Sequence, residues 1–261
     1  MKLRFSEQGT GPAVALLHGL FGAGRNLGVV QRHLAPEFRV LALDLRNHGE
    51  SPHAAGMSYA EMAEDVAETL AEAGALPAAL IGHSMGGKVA MRLALDQPDA
   101  VARLAVMDIA PVPNPPHFHN MARVMLRMQL HAGMTRAEAD AALAPVVSDA
   151  SLRAFLLQNL RLGAHPAWRI GLQQITASLP VIEGWETPPG APFTKPVLFV
   201  AGARSDYIQQ SHRPAIRALF PGARFVTIKD AGHWLHADNP AAVIAVLESF
   251  LHPYRAEERH V

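Results

Sequence analysis

The chain has 261 residues, 49% of them apolar and 18% charged, enough for one sizeable core with an insertion. Its 23 lysines and arginines balance 23 aspartates and glutamates, which excludes the basic surface that nucleic-acid binding needs and favours a small-molecule partner. There is no cysteine, so disulfides and thiolate chemistry are excluded. The first eight residues carry no apolar signal region, and no apolar run reaches the roughly 18 residues of a membrane span. A cytoplasmic monomer or homodimer is expected, with neither membrane nor nucleic acid as partner.

Residues 13–17 (Ala-Val-Ala-Leu-Leu) are continuously apolar and stop at His18-Gly19, the pattern of a buried parallel strand. Asn26 is placed to cap a helix to Leu34, and residues 39–43 form a second buried strand closed by Asp44. Ser58 with Glu61 three residues on makes a capping box for a helix over 59–73, ended by Gly74. A strand at 78–82, a helix at 85–96 and a strand at 101–107 follow. Such alternation predicts an α/β fold, a mostly parallel doubly wound sheet with helices on both faces.

The alternation breaks over 111–196, where helical patterns occur near His119, after Thr135, over 152–162 and from Trp168 towards Ser178, with no strand pattern. A stretch this long far exceeds an ordinary loop of up to about 15 residues, so an inserted helical cap is expected there. Proline-rich segments bracket it, at 111–116 and 188–192, where proline stops helix and sheet alike. The expected division is therefore core at 1–110, cap at 111–196 and core again at 197–261. Strands at 197–201 and 224–228, a helix near 214–219 and a last helix opened by Pro240 complete the pattern, with a charged, frayed tail from Arg255.

The chemistry concentrates at strand ends. Gly82-His83-Ser84-Met85-Gly86 joins a strand to a helix, the setting in which Gly-x-Ser-x-Gly presents a serine on a tight turn at the carboxyl edge of a sheet. A serine hydroxyl is a weak nucleophile and needs a base; His233, in the loop between the last strand and the last helix, is the candidate. For the acid behind the histidine the residues leave two choices between Ser84 and His233: Asp108, ending the strand 101–107, and Asp206, in the loop after 197–201. Oxyanion donors are expected from the backbone N–H groups of Met85 and Leu20. Phe21 is expected to line the acyl pocket, with Phe118, Met121, Met125, Trp168 and Trp234 as further pocket residues.

The segments 18–22 (His-Gly-Leu-Phe-Gly), 44–52 (Asp-Leu-Arg-Asn-His-Gly-Glu-Ser-Pro), 82–88 (Gly-His-Ser-Met-Gly-Gly-Lys), 108–111 (Asp-Ile-Ala-Pro) and 231–236 (Ala-Gly-His-Trp-Leu-His) resemble the α/β-hydrolase superfamily, and within it the YbfF-like esterases, in order and over essentially the whole chain. The resemblance implies a serine carboxylesterase or thioesterase acting on small acyl esters through an acyl-enzyme, without a cofactor or metal. It also implies that the acid follows the strand before the cap, matching Asp108, with Ser205 at the acid's commoner place. The N-terminus is short for the superfamily, so one early antiparallel strand is expected to be reduced or missing.

Alternatives are a ligand receptor without turnover or a cofactor-free haloperoxidase on the same fold. A dinucleotide site at Gly19, Gly22 and Gly24, with Asp44 as the ribose acid, fails on Leu27 where a third glycine belongs. His117-Phe118-His119 lacks a neighbouring carboxylate or cysteine in the sequence, so a solvated pair is expected there rather than a metal site.

Overall fold

The computed structural model describes residues 1–258. Strand β1 (Phe5–Gln8) lies antiparallel at the sheet edge, and β2 (Ala13–Leu17), β3 (Arg39–Leu43), β4 (Ala78–His83) and β5 (Val101–Met107) run parallel to one another. Helices α1 (Gly28–Leu34), α2 (Tyr59–Glu72) and α3 (Met85–Asp96) connect them. The segment after β5 holds α4 (His119–Arg127), α5 (Arg136–Leu143), α6 (Ala150–Leu157), β6 (Leu160–Arg161), β7 (Ala167–Trp168) and α7 (Leu172–Glu183). The sheet then resumes with β8 (Val197–Gly202), α8 (Arg213–Leu219), β9 (Arg224–Ile228), α9 (Leu235–Asp238) and α10 (Pro240–Glu258). The main sheet has seven strands in the order β1-β3-β2-β4-β5-β8-β9.

Strand alternation explains the two layers. Ala15, Leu17, Leu80 and Val106 point to one face, where Met62, Val66, Val89 and Leu93 of α2 and α3 cover them. Val14, Leu16, Ile81 and Met107 point to the other, packed against Val30 and Leu34 of α1 and Val243 and Leu247 of α10. Covered on both faces, β2 and β4 are buried at every residue, which is why they read as unbroken apolar runs.

The elements differ from expectation in three places. β1 lacks an apolar run, because it is an exposed edge strand that pairs only with β3. The helix expected over 152–162 stops at Leu157, and the β6–β7 ribbon follows; two residues per strand are too few to show a period. The helix expected from Trp168 begins at Leu172, since Ala167 and Trp168 pair with Arg161 and Leu160. At the tail, the backbone stays helical to Glu258, and the rest of the tail lies outside the described residues. Among the described residues no helix is long and apolar enough to cross a membrane.

Candidate active site

The turn from β4 into α3 is made possible by two glycines. A Cβ on Gly82 would stand 2.3 Å from the Gly86 carbonyl oxygen, and one on Gly86 would stand 2.4 Å from that of Leu17. Between them Ser84 takes φ 52°, a left-handed conformation costly for a non-glycine residue. Its backbone N–H donates to the Met107 carbonyl at 2.9 Å, which ties the strained residue to β5. The hydroxyl therefore stands at the carboxyl end of the sheet, over the N-terminus of α3.

Three side chains from the carboxyl ends of β4, β5 and β9 meet there. Ser84 Oγ donates to His233 Nε2 at 3.0 Å, and His233 Nδ1 donates to Asp108 Oδ2 at 2.8 Å. Asp108 is fully buried; its Oδ1 accepts from the Gly202 N–H at 3.0 Å, and Ser205 Oγ donates to its Oδ2. Asp206, one residue further, is exposed. The Tyr207 ring stacks on the imidazole with centroids 4.0 Å apart, and the His233 carbonyl accepts from His83 Nε2 at 2.8 Å. The imidazole is thus fixed in position, facing both the hydroxyl and the carboxylate.

The loop after β2 is braced from below. His18 Nδ1 donates to the Gly19 carbonyl (2.8 Å) while its Nε2 accepts from the Leu45 N–H (3.0 Å). Burial holds this imidazole neutral by lowering its pKa to about 4. His48, whose pKa burial lowers to about 3, accepts the Phe21 N–H at 3.1 Å. Phe21 is thereby occupied, while the Leu20 N–H has no partner among the described residues. Met85, first in α3, has an N–H with no place in the helical ladder. A hydroxyl, an imidazole, a buried carboxylate and two amide donors at one strand edge can together deprotonate an attacking oxygen and hold a developing oxyanion.

Two cavities meet at Ser84. The first, narrow and partly open, is lined by His233, Phe21, Phe118, Met121, Phe155 and Trp234, among others. The second is narrow and is lined by Ser84 with Met85, Lys88, Tyr59, Ile182 and Glu183, but not by His233.

The family model described as the alpha/beta hydrolase fold matches residues 12–240. The chain is an α/β hydrolase. This hydrolase is 40% identical over 249 residues to mouse "sn-1-specific diacylglycerol lipase ABHD11", covering 92% of the chain and 81% of that protein. It is 35% identical over 239 residues to "Esterase YbfF" of Escherichia coli K12, covering 91% and 92%. A solved "Marine microorganism esterase" superposes with a TM-score of 0.92 at 36% identity, over 96% of the chain and 99% of that structure. The hydrolase thus falls in the YbfF-like branch and is a carboxylic ester hydrolase.

Some expected pocket residues of the hydrolase lie elsewhere. Met125 is fully buried and Trp168 donates its indole N–H to the Met125 carbonyl at 3.1 Å; neither lines the cavities at Ser84, and both pack inside the inserted segment. Phe21 lines the cleft on the His233 side, edge-on to Phe118 at 6.1 Å. His119 is no solvated histidine, because the fold brings Glu183 to 2.8 Å from its Nε2. Asp44 is spent on loop bracing: its carboxylate accepts the Gly24 N–H (2.7 Å) and the Glu50 N–H (2.8 Å).

Sequence reasoning missed Tyr207, Tyr59, Lys88 and Glu183 as site residues. Lys88 stood within the elbow motif, and a charge four residues after Ser84 falls on the serine's own helix face, a signal that was available. Nothing local marks Tyr59 or Glu183, since only the tertiary fold brings them to α3.

Proposed function

We propose that the hydrolase is a serine carboxylesterase that hydrolyses small acyl esters by two-step acyl transfer. The Ser84–His233–Asp108 chain of hydrogen bonds, 3.0 and 2.8 Å long, carries this reading. Ser84 Oγ attacks the ester carbonyl as His233 Nε2 takes its proton, and the buried Asp108 carboxylate stabilises the imidazolium. The oxygen, now an oxyanion, accepts from the Leu20 and Met85 N–H groups. Collapse expels the alkoxide, which takes the proton from His233. Water then attacks the acyl-enzyme with His233 as base, releasing the acid and restoring Ser84.

In this reading the segment between β5 and β8 serves as a cap. Its Phe118, Met121, Leu152 and Phe155 line the cleft beside His233, so it shapes the binding site. Asn159 Nδ2 donates to the Phe21 carbonyl at 2.7 Å, and the Gly171 N–H donates to that of Asn47 at 2.8 Å, which docks the cap on the loops around the site. Hydrolysis of p-nitrophenyl acetate tests the reading. Ser84→Ala and His233→Ala should each lose activity by about 10⁴-fold or more, while circular dichroism stays native. Activity retained by Ser84→Ala would exclude it.

A further inference from the structure

The second cavity contains a charge that the proposed reaction leaves unused. Lys88, 1% exposed, sits one helical turn after Ser84, about 6 Å along α3, and lines that cavity with Met85, Tyr59, Ile182 and Glu183. Its Nζ donates to Asn114 Oδ1 and to the Gly184 carbonyl, both at 2.7 Å. Both acceptors are neutral. The Tyr59 ring centroid is 5.6 Å away, and the third N–H has no oxygen partner among the described residues.

Glu183, the carboxylate that lines the same cavity, has both oxygens engaged elsewhere. Glu183 Oε1 accepts the Phe118 N–H at 3.2 Å, Oε2 pairs with His119 Nε2 at 2.8 Å, and neither oxygen forms an ion pair with Lys88. A buried ammonium with no contact ion pair is only partly compensated by the Glu183 charge across the cavity, and a ligand carboxylate offsets the remaining cost. Burial lowers the Lys88 pKa to about 7 although the Glu183 charge opposes the shift, so a bound carboxylate would also favour the charged lysine.

The chemistry at Ser84 fixes which part of a substrate reaches this lysine. The leaving oxygen must receive its proton from His233, which lines the first cleft and not the second cavity. The alcohol therefore occupies the first cleft, and the acyl group enters the second.

We infer that the second cavity is the acyl site and that Lys88 makes it selective for short acyl groups ending in a carboxylate, the half-esters of small dicarboxylic acids. This rests on the serine-esterase reading and adds the substrate class. An apolar site alone would disfavour such charged esters, so the preference is diagnostic.

The test compares near-isosteric pairs on the whole protein: monomethyl glutarate against methyl valerate, and monomethyl succinate against methyl butyrate. The inference expects at least one half-ester to exceed its alkyl partner about tenfold or more in kcat/KM. It also expects glutarate or succinate to inhibit p-nitrophenyl acetate hydrolysis more strongly than valerate or butyrate. In Lys88→Met the half-ester preference should collapse towards or below one, largely through KM, whereas a lysine that merely tethers the cap would leave the ratio unchanged. Alkyl esters preferred by the wild-type protein, or an unchanged ratio in a folded Lys88→Met, would overturn the inference. If that variant does not fold, the wild-type substrate and inhibition comparisons decide alone. Turnover of p-nitrophenyl acetate with loss in Ser84→Ala would meanwhile uphold the esterase reading, so the two failures are distinguishable.

Discussion

Asp108 Oδ2 lies 2.8 Å from His233 Nδ1, although 125 positions separate the two residues along the chain. Asp108 leaves the end of β5 with φ 54° and its N–H bonded to the Val200 carbonyl at 2.8 Å, so its side chain turns across β8 towards the histidine. Asp108→Asn should lower kcat by about 10⁴, because an amide cannot stabilise the imidazolium and favours the wrong tautomer. Asp206→Asn should change activity by less than about twofold, since an exposed side chain outside the network contributes little. Ser205→Ala removes one hydrogen bond to a charged group, worth about 1.5–3 kcal/mol, and should fall between the two. Steady-state kinetics of the three variants checks the order; a collapse in Asp206→Asn with near-silent Asp108→Asn reverses the assignment.

The pocket makes a second prediction. Met121 lines the cleft beside His233, whereas Met125 is fully buried within the segment between β5 and β8. Met121→Trp should raise KM for esters of bulky alcohols several-fold. Met125→Leu, a volume-conserving change, should leave selectivity untouched and cost less than about 1.5 kcal/mol of stability. A selectivity shift in Met125→Leu, with none in Met121→Trp, would show the cleft to be misassigned.

Acid should destabilise the protein through its buried histidines. Burial lowers the pKa of His18 and His236 to about 4 and of His48 to about 3, and His83 falls well below its ordinary value. The unfolded chain takes up these protons near pH 6.5, and the folded protein does so only near pH 4 or 3. The stabilisation is therefore complete above pH 6.5 and is lost as pH falls through that window, by about 1.4 kcal/mol per pH unit for each histidine. Urea unfolding at pH 7, 6 and 5 should show ΔG dropping at an increasing slope; a flat profile contradicts the neutral-histidine assignment.

The elbow glycines should be intolerant of any side chain. Gly86→Ala places a Cβ 2.4 Å from the Leu17 carbonyl oxygen, a backbone atom that cannot rotate away. Thermal denaturation should show a drop of several degrees with activity lost as the elbow shifts, consistent with about 1–3 kcal/mol for overpacking. A variant with native Tm and native kcat would mean that the turn relaxes freely.

Much of this was legible before the structure. Strands β2, β4 and β8 declared themselves because burial on both faces demands largely apolar runs, and β3 and β5 did so although each carries one arginine, Arg39 and Arg103. Ser58 and Thr135 marked helix starts because each caps with a glutamate three residues on. The edge strand β1 and the β6–β7 ribbon were illegible, being too exposed or too short for a pattern. At the site, Ser84 and His233 announced themselves by position in strand-end loops. Asp108 was preferred to Asp206 through the resemblance, whereas the residues alone kept Asp206 as an alternative, because which side chain reaches an imidazole depends on the turn after β5. Lys88 stands in the elbow motif, but no local pattern marks its partners, because Asn114, Gly184 and Tyr59 come from three other parts of the chain.

The central claim is that Ser84 is the nucleophile, and trapping the covalent intermediate tests it most directly. The protein is treated with a fluorophosphonate, digested and mapped by mass spectrometry, with Ser84→Ala and Asp108→Asn in parallel. The account predicts one phosphonate on Ser84 in the wild-type protein, none in Ser84→Ala and slow labelling in Asp108→Asn. A phosphonate on any other residue, with ester turnover surviving in Ser84→Ala, would contradict it.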